Sequence, residues 1–176
     1  MKQQFKYWIA DVNALLGKYK FRIIHAWMSR GFIGISLYRF ERALYISFGK
    51  WWSIFRVLLS PILYILYSYS NMEINYKADI GPGIKVLHPS GGVVISGKAK
   101  IGKGLTLTGG NIIGAKPGCP DKGIQIGDNC SLGANAVIIG PVKLGNNINV
   151  GASACVVKDE TNDGKILVGV PAKTIN

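Results

Sequence analysis

Residues 126–156 read IGDNCS-LGANAV-IIGPVK-LGNNIN-VGASAC-V, with an aliphatic side chain on every sixth position: Ile126, Leu132, Ile138, Leu144, Val150 and Val156. Gly127, Gly133, Gly145 and Gly151 directly follow four of them. A helix repeats every 3.6 residues and a strand every 2, so neither gives a period of six. A strict six-residue beat marks a parallel β-helix of hexapeptide turns. Each unit is a short flat stroke and a corner. Three strokes close a triangular coil of about 18 residues, and coils stack about 4.8 Å apart. The aliphatic residue of each stroke fills the prism. The residue four places on is also small or apolar, at Cys130, Ala136, Val142, Ile148 and Ala154. Glycine and Asn129, Asn135, Asn146 and Asn147 are expected to supply corners with positive φ. A single coil cannot bury its inner face alone, so several must stack.

The beat continues upstream through Ile95, Ile101, Leu107 and Ile113, and through Ile74, Ile80 and Val86. It breaks twice. The first break, between Val86 and Ile95, contains Leu87, His88, Pro89, Ser90, Gly91 and Gly92. The second, between Ile113 and Ile126, contains the segment Gly114–Gly123.

Composition divides the chain near residue 72. Of the 18 aromatic residues 17 precede Glu73, as do all four tryptophans and all five arginines. Residues 1–72 carry ten Lys+Arg against Asp11 and Glu41, a balance of +8; residues 73–176 carry eleven Lys against seven Asp+Glu, +4. The first part is expected to be an α-helical appendage, with helices over roughly 3–16, 19–29, 32–48 and 51–69 separated by glycines and broken by Pro61. Its apolar runs are shorter than the roughly 20 residues of a transmembrane span, and its polar start lacks a signal-peptide pattern. Arginine, lysine, tryptophan and tyrosine beside apolar faces suit attachment at a membrane surface. Packing of the same helices on one another and on the β-helix is the alternative. Basic residues mixed into apolar helices, without a recognition motif, argue against nucleic acid. The repeat region, residues 73–176, forms the second domain.

Cys119, Cys130 and Cys155 have no metal-ligand spacing, and no metal site is expected. They fit a reducing, cytoplasmic setting. Cys119, in the second break, is expected to be more exposed than Cys130. Of the two histidines, His25 reads as structural within a helix. His88 is the sole histidine of the repeat region, and a bulge on a regular prism turns side chains outward.

The runs Ile80-Gly81-Pro82-Gly83, His88-Pro89-Ser90-Gly91-Gly92-Val93-Val94-Ile95, Ile126-Gly127-Asp128-Asn129 and Gly169-Val170-Pro171-Ala172-Lys173 resemble the serine acetyltransferase-like branch of the hexapeptide-repeat acyltransferases. Within it the chain is most similar to short members associated with capsule and exopolysaccharide synthesis. The resemblance covers about residues 73–175. It implies a left-handed parallel β-helix assembled as a homotrimer, with acetyl-CoA as the acyl donor. It also implies a histidine general base, matched by His88, that activates a substrate hydroxyl for direct attack on the thioester without an acyl-enzyme. A neutral-range pKa suits histidine to that role. The orienting carboxylate matches Glu73, with Asp79 as competitor. Backbone N–H groups around Gly91, Gly92 and Gly114 are expected as oxyanion donors. For acetyl-CoA the resemblance implies Gly114, Ala115, Ala134 and Ala152 along the pantetheine arm and Lys173 near the nucleotide end.

The pattern also departs from true serine acetyltransferases. The second break holds Pro120-Asp121-Lys122-Gly123 where they carry a histidine preceded by arginine, and Leu87 stands where they carry aspartate before the catalytic histidine. Each change removes a group that would hold a small zwitterion. The reading is therefore an O-acetyltransferase of a polysaccharide or lipid-linked sugar precursor, peripheral at the cytoplasmic face of the inner membrane. Serine O-acetylation and a non-catalytic scaffold are the alternatives. A zinc-dependent hydration site is excluded, because its metal needs three histidines.

Overall fold

The computed structural model describes residues 1–18, 21 and 23–175, and for His25 the backbone only. Among the described residues four α-helices precede fifteen short strands. The helices are α1 (Lys2–Leu16), α2 (Ile23–Ala26), α3 (Arg30–Phe48) and α4 (Lys50–Ser70). The helix expected over 19–29 is described only as α2, because residues 19, 20 and 22 lie outside the described set. Gly17 and Gly49 end α1 and α3 with φ of 60° and 55°, whereas Gly31 and Gly34, also expected as breaks, lie buried inside α3. Pro61 does not break α4, which runs 21 residues through it.

From Met72 onward the chain winds a parallel β-helix. Its first face stacks β1 (Met72–Ile74), β4 (Val93–Ile95), β7 (Asn111–Ala115), β10 (Val137–Gly140) and β13 (Cys155–Val156). The second stacks β2 (Asp79–Ile80), β5 (Ala99–Ile101), β8 (Ile124–Ile126) and β11 (Val142–Leu144). The third stacks β3 (Lys85–Val86), β6 (Thr106–Leu107), β9 (Ser131–Leu132), β12 (Asn149–Val150) and β14 (Ile166–Val168), closed by the antiparallel β15 (Lys173–Ile175).

Every residue on the six-residue beat is buried, from Ile74 to Val156, and so are the companions Cys130, Ala136, Val142, Ile148 and Ala154. The outward positions differ by face. On the first face register aligns Glu73, Val94, Ile112, Val137 and Cys155; on the second it aligns Asp79, Lys100, Gln125 and Lys143. The corners divide the work between residue types. Asn129, Asn135 and Asn147 take φ of 56–57°, whereas Asn146 does not and instead accepts from the Asp128 N–H at 2.8 Å. Gly127 follows the beat for closeness, not for φ: a Cβ there would lie 2.4 Å from the Gly145 carbonyl oxygen of the next coil.

The helices cap the first coil. Arg39 on α3 is almost fully buried and donates to the Ile80 and Gly81 carbonyls at 2.6 Å each and to Asp11 of α1 at 2.7 Å. Asp11 also accepts from the backbone N–H groups of Gly83 and Ile84. Burial pushes the Asp11 carboxyl above its ordinary value, while the guanidinium and the two N–H groups pull it back. Tyr38, fully buried, donates to the Ala78 carbonyl, and burial raises its phenol to about 12.

Candidate active site

His88 stands at the corner where the third face turns into the first. Its N–H donates to the Thr108 carbonyl at 2.8 Å and its carbonyl accepts from Gly91 at 3.1 Å, opening a 3-10 turn over Pro89–Gly91. These backbone bonds fix the corner while the imidazole stays exposed. Gly109 lies beneath it at φ 139°, and a Cβ there would sit 2.4 Å from the His88 carbonyl oxygen, so this position requires glycine. Asn111 anchors Gly109 in turn. It is fully buried, accepts from the Gly109 N–H at 2.9 Å and donates to the Gly133 carbonyl at 2.7 Å. Sequence reasoning missed both supports. The available signal was an asparagine in the register position that holds Val93 one coil earlier.

Glu73 lies on β1, which stacks on β4, the strand that leaves the His88 corner. Asn71, two residues before it, donates to the Ser90 carbonyl at 2.8 Å and ties strand to corner. The Glu73 and His88 side chains are both exposed, and no hydrogen bond joins them among the described residues. Asp79 lies on the second face and pairs with Arg42 at 3.3 Å. Two of the expected oxyanion donors, Gly91 and Gly92, are corrected: Gly91 N–H is spent on the His88 carbonyl and Gly92 N–H on the Pro89 carbonyl at 3.0 Å. Their turn is too tight to leave either free. The His25 side chain lies outside the described residues.

The expected donor-binding residues fall into two groups. Ala134 and Ala152 stack on the His88 edge, linked by Ser153 N–H to the Ala134 carbonyl at 2.8 Å. Three coil steps, roughly 14 Å at the strand spacing, separate His88 from Ala152. Gly114 and Ala115 end β7 at the opposite edge of the first face, beside Ile139 and Gly140. Gly114 has no positive φ, and a Cβ there would meet only side chains, at 3.4 and 3.6 Å, so neither conformation nor packing requires its glycine. Lys173 lies exposed on β15. One chain therefore does not bring the two groups together. The second break also differs from expectation: Cys119 is buried, because its loop folds back and its carbonyl accepts from the Lys98 ammonium. No three His, Cys, Asp or Glu side chains converge as metal ligands among the described residues.

A cavity of about 590 Å³ opens between α4 and the first coils of the first face. Arg56, Tyr64 and Tyr67 line it from the helix, and Glu73, Asn75 and Gly92 from the coils. Outside this cavity α4 is mostly bare: Leu58, Ile62 and Ile65 are among its exposed apolar residues. It is the one helix among the described residues long and apolar enough to cross a membrane, with mean hydropathy 1.3 and 11% of its most apolar window buried. Its continuity through Pro61 corrects the expectation of a shorter run.

Residues 123–158 match the bacterial transferase hexapeptide (six repeats) family. Over 119 residues the chain is 31% identical to serine acetyltransferase 5 of Arabidopsis thaliana, covering 65% of this chain and 35% of that protein. The chain thus spans about a third of the length of that curated relative. The crystal structure of Neisseria gonorrhoeae serine acetyltransferase superposes with a TM-score of 0.82 at 26% identity, covering 99% of this chain and 67% of that one. The soybean serine acetyltransferase apoenzyme shares the fold at a TM-score of 0.81 and 24% identity, covering 99% and 70%. The matched hexapeptide segment and the fold shared with these serine acetyltransferases agree with the parallel β-helix described above.

Proposed function

We propose that the chain transfers the acetyl group of acetyl-CoA to a hydroxyl, with His88 as general base and Glu73 as the carboxylate that orients it. The observation that carries this reading is the placement of His88. The imidazole is exposed on a rigid corner, on the same edge as the small residues Ala134 and Ala152 and beside the strand bearing Glu73. In the step, the hydroxyl proton passes to His88 as the oxygen attacks the thioester carbonyl carbon. The C–O bond forms, the C–S bond breaks, and the proton on His88 leaves with the CoA thiolate. A homotrimer supplies what one chain lacks, by setting Gly114 and Ala115 of one copy against the Ala134–Ala152 edge of another. The outward Val137 and Cys155, on the later coils of the first face and outside the α4 cavity, suit such coverage. Lys173 would meet a phosphate of the nucleotide.

The acceptor has two readings. The relatives named above are serine acetyltransferases, which favours L-serine over the glycan expected from sequence. A glycan hydroxyl is favoured by residues: Leu87 precedes His88, and Pro120–Gly123 holds no histidine or arginine. The test is release of CoA thiol from acetyl-CoA with L-serine and with neutral sugars. His88→Ala should lower the rate with the working acceptor by about 10²–10⁴-fold. Turnover unchanged in His88→Ala would discard the base assignment, and no release with any acceptor would favour the scaffold reading.

We further propose that α4 holds the protein at the cytoplasmic face of the inner membrane. Its bare apolar face and the +8 balance of residues 1–72 suit an anionic lipid surface. The full chain should cosediment with phosphatidylglycerol-containing vesicles, and the double change Leu58→Glu and Ile62→Glu should release it. Equal recovery of both proteins in the supernatant at low salt would count against attachment.

A further inference from the structure

Apart from Glu73, the cavity between α4 and the first face has a chemistry that the transfer step does not use. One wall comes from Tyr64, Tyr67 and Ser68, spaced i, i+3, i+4 and so on one side of α4. The opposite wall is the outward row Glu73, Val94, Ile112, aligned by the pairing of β1, β4 and β7. Val94 and Ile112 are about 40% exposed at positions where the second face carries the polar Lys100 and Gln125. The result is an apolar floor with phenol and carboxylate at its rim. At about 590 Å³ it falls in the ordinary range for small-molecule sites, roughly 300–1,000 Å³.

Charge narrows the ligand. Arg56 is the sole cation among the lining residues, and it is already committed. Its Nε donates to Glu41 at 2.6 Å, and its guanidinium lies 5.9 and 5.2 Å from the ring centroids of Tyr67 and Tyr76. The Tyr67 hydroxyl also donates to Glu41, which is fully buried. Burial, and then the Glu41 carboxylate, push the Tyr67 phenol up, so it stays protonated. Glu73 forms no ion pair among the described residues. Among the described residues the cavity therefore presents one uncompensated carboxylate and no free cation. A phosphate or carboxylate entering it would face Glu73 with no partner. A ring with apolar C–H faces and hydroxyl edges can lie on Val94 and Ile112, stack against the exposed Tyr64, and donate to Glu73.

We infer that this cavity is an acceptor subsite and that its ligand is a neutral polyhydroxyl ring, a sugar residue without phosphate or carboxylate. The inference rests on the O-acetyltransferase reading, since Glu73 would then face the acceptor and His88 together. It is tested on the full chain without acetyl-CoA, by saturation-transfer NMR and titration with methyl β-D-glucopyranoside, the matching methyl glucuronide and L-serine. The glucoside should bind at least tenfold tighter than the glucuronide and than serine. Ser68→Trp, which fills the cavity, and Tyr64→Ala, which removes the stacking ring, should each weaken it at least tenfold. Both side chains are exposed, so thermal unfolding should not move. Glu73→Gln should narrow the glucoside-to-glucuronide ratio. Absence of glucoside binding, a glucuronide that binds as well, or indifference to Ser68→Trp would overturn the subsite. The two readings fail separately. Binding abolished by Ser68→Trp, with no thiol release from acetyl-CoA, refutes the transfer and leaves the cavity. Thiol release with serine that Ser68→Trp does not change refutes the cavity and leaves the transfer.

Discussion

The interior of the β-helix is a ladder of aliphatic side chains from Ile74 to Val156, with Asn111 as its buried polar member. The helical cap, by contrast, buries Asp11, Arg39 and Glu41. The ladder sets register by repetition, because moving any stroke by one residue turns its aliphatic side chain outward. The cap has no repeat to lean on. Its helices are apolar over wide arcs and could pack in several rotations. The Asp11–Arg39 clasp, reaching the Ile80 and Gly81 carbonyls, selects one of them.

The largest effect should follow from breaking that clasp. Arg39→Met leaves Asp11 buried without its partner, and about 3–5 kcal/mol of cap stability should go. All four tryptophans lie in the cap, so their fluorescence reports it alone, while circular dichroism also follows the strands. Their denaturant midpoint should fall further than that of the dichroism signal. Adding Asp11→Leu should restore much of it, because an apolar pair replaces the ionic one. Equal shifts in both signals would show that cap and ladder unfold as one unit and erase the contrast.

Within the ladder, two glycines separate packing from function. Gly127→Ala places a Cβ against the Gly145 backbone, and overpacking of this kind costs about 1–3 kcal/mol. Gly114→Ala meets only side chains at ordinary contact distance, so stability should stay within about 0.5 kcal/mol. If Gly114 lies along the acetyl-CoA arm, that substitution should instead raise KM for acetyl-CoA. An unfolding midpoint lowered as much by Gly114→Ala as by Gly127→Ala would remove it from the donor site.

This contrast explains what was legible in sequence. Ile126, Leu132 and Ile138 announce the coil because each obeys the same local rule, and Gly17 and Gly49 end helices for a local reason. The clasp joins residues 28 apart and the Arg56–Glu41 pair residues 15 apart, with no pattern to mark either. Pro61 sits inside α4 although a prolyl residue more often ends a helix, and the expected extent 51–69 holds through it. The exposed His88 was visible as a departure from the beat. That the Gly91 and Gly92 N–H groups are already bonded, and that Cys119 is covered by its own loop, depends on how the breaks fold. The beat carries no information there.

The smallest effect concerns the end of the ladder, where pairing turns antiparallel. Glu160 accepts from the Thr174 hydroxyl of β15 at 2.6 Å, and that bond, with help from Asn162, holds its carboxyl below the ordinary 4.5. Asp163, accepting from the Asn146 side chain and backbone, is likewise held below 3.8. A carboxyl lowered on folding stabilises the fold above its ordinary value, and that contribution is lost as pH falls through the folded value. Both groups lie at the surface at this end of the ladder, so the loss is local. Between pH 6 and pH 3, after correction for intrinsic exchange, the amides of Lys173 and Ile175 should lose protection while those of Leu132 and Ile138 keep it. Glu160→Gln should show the same loosening at pH 6. If Lys173 serves the nucleotide end of acetyl-CoA, Glu160→Gln should also weaken acetyl-CoA binding while leaving the His88 corner, three coils away, unchanged. Uniform loss of protection along the ladder would mean that its end is no softer than its middle.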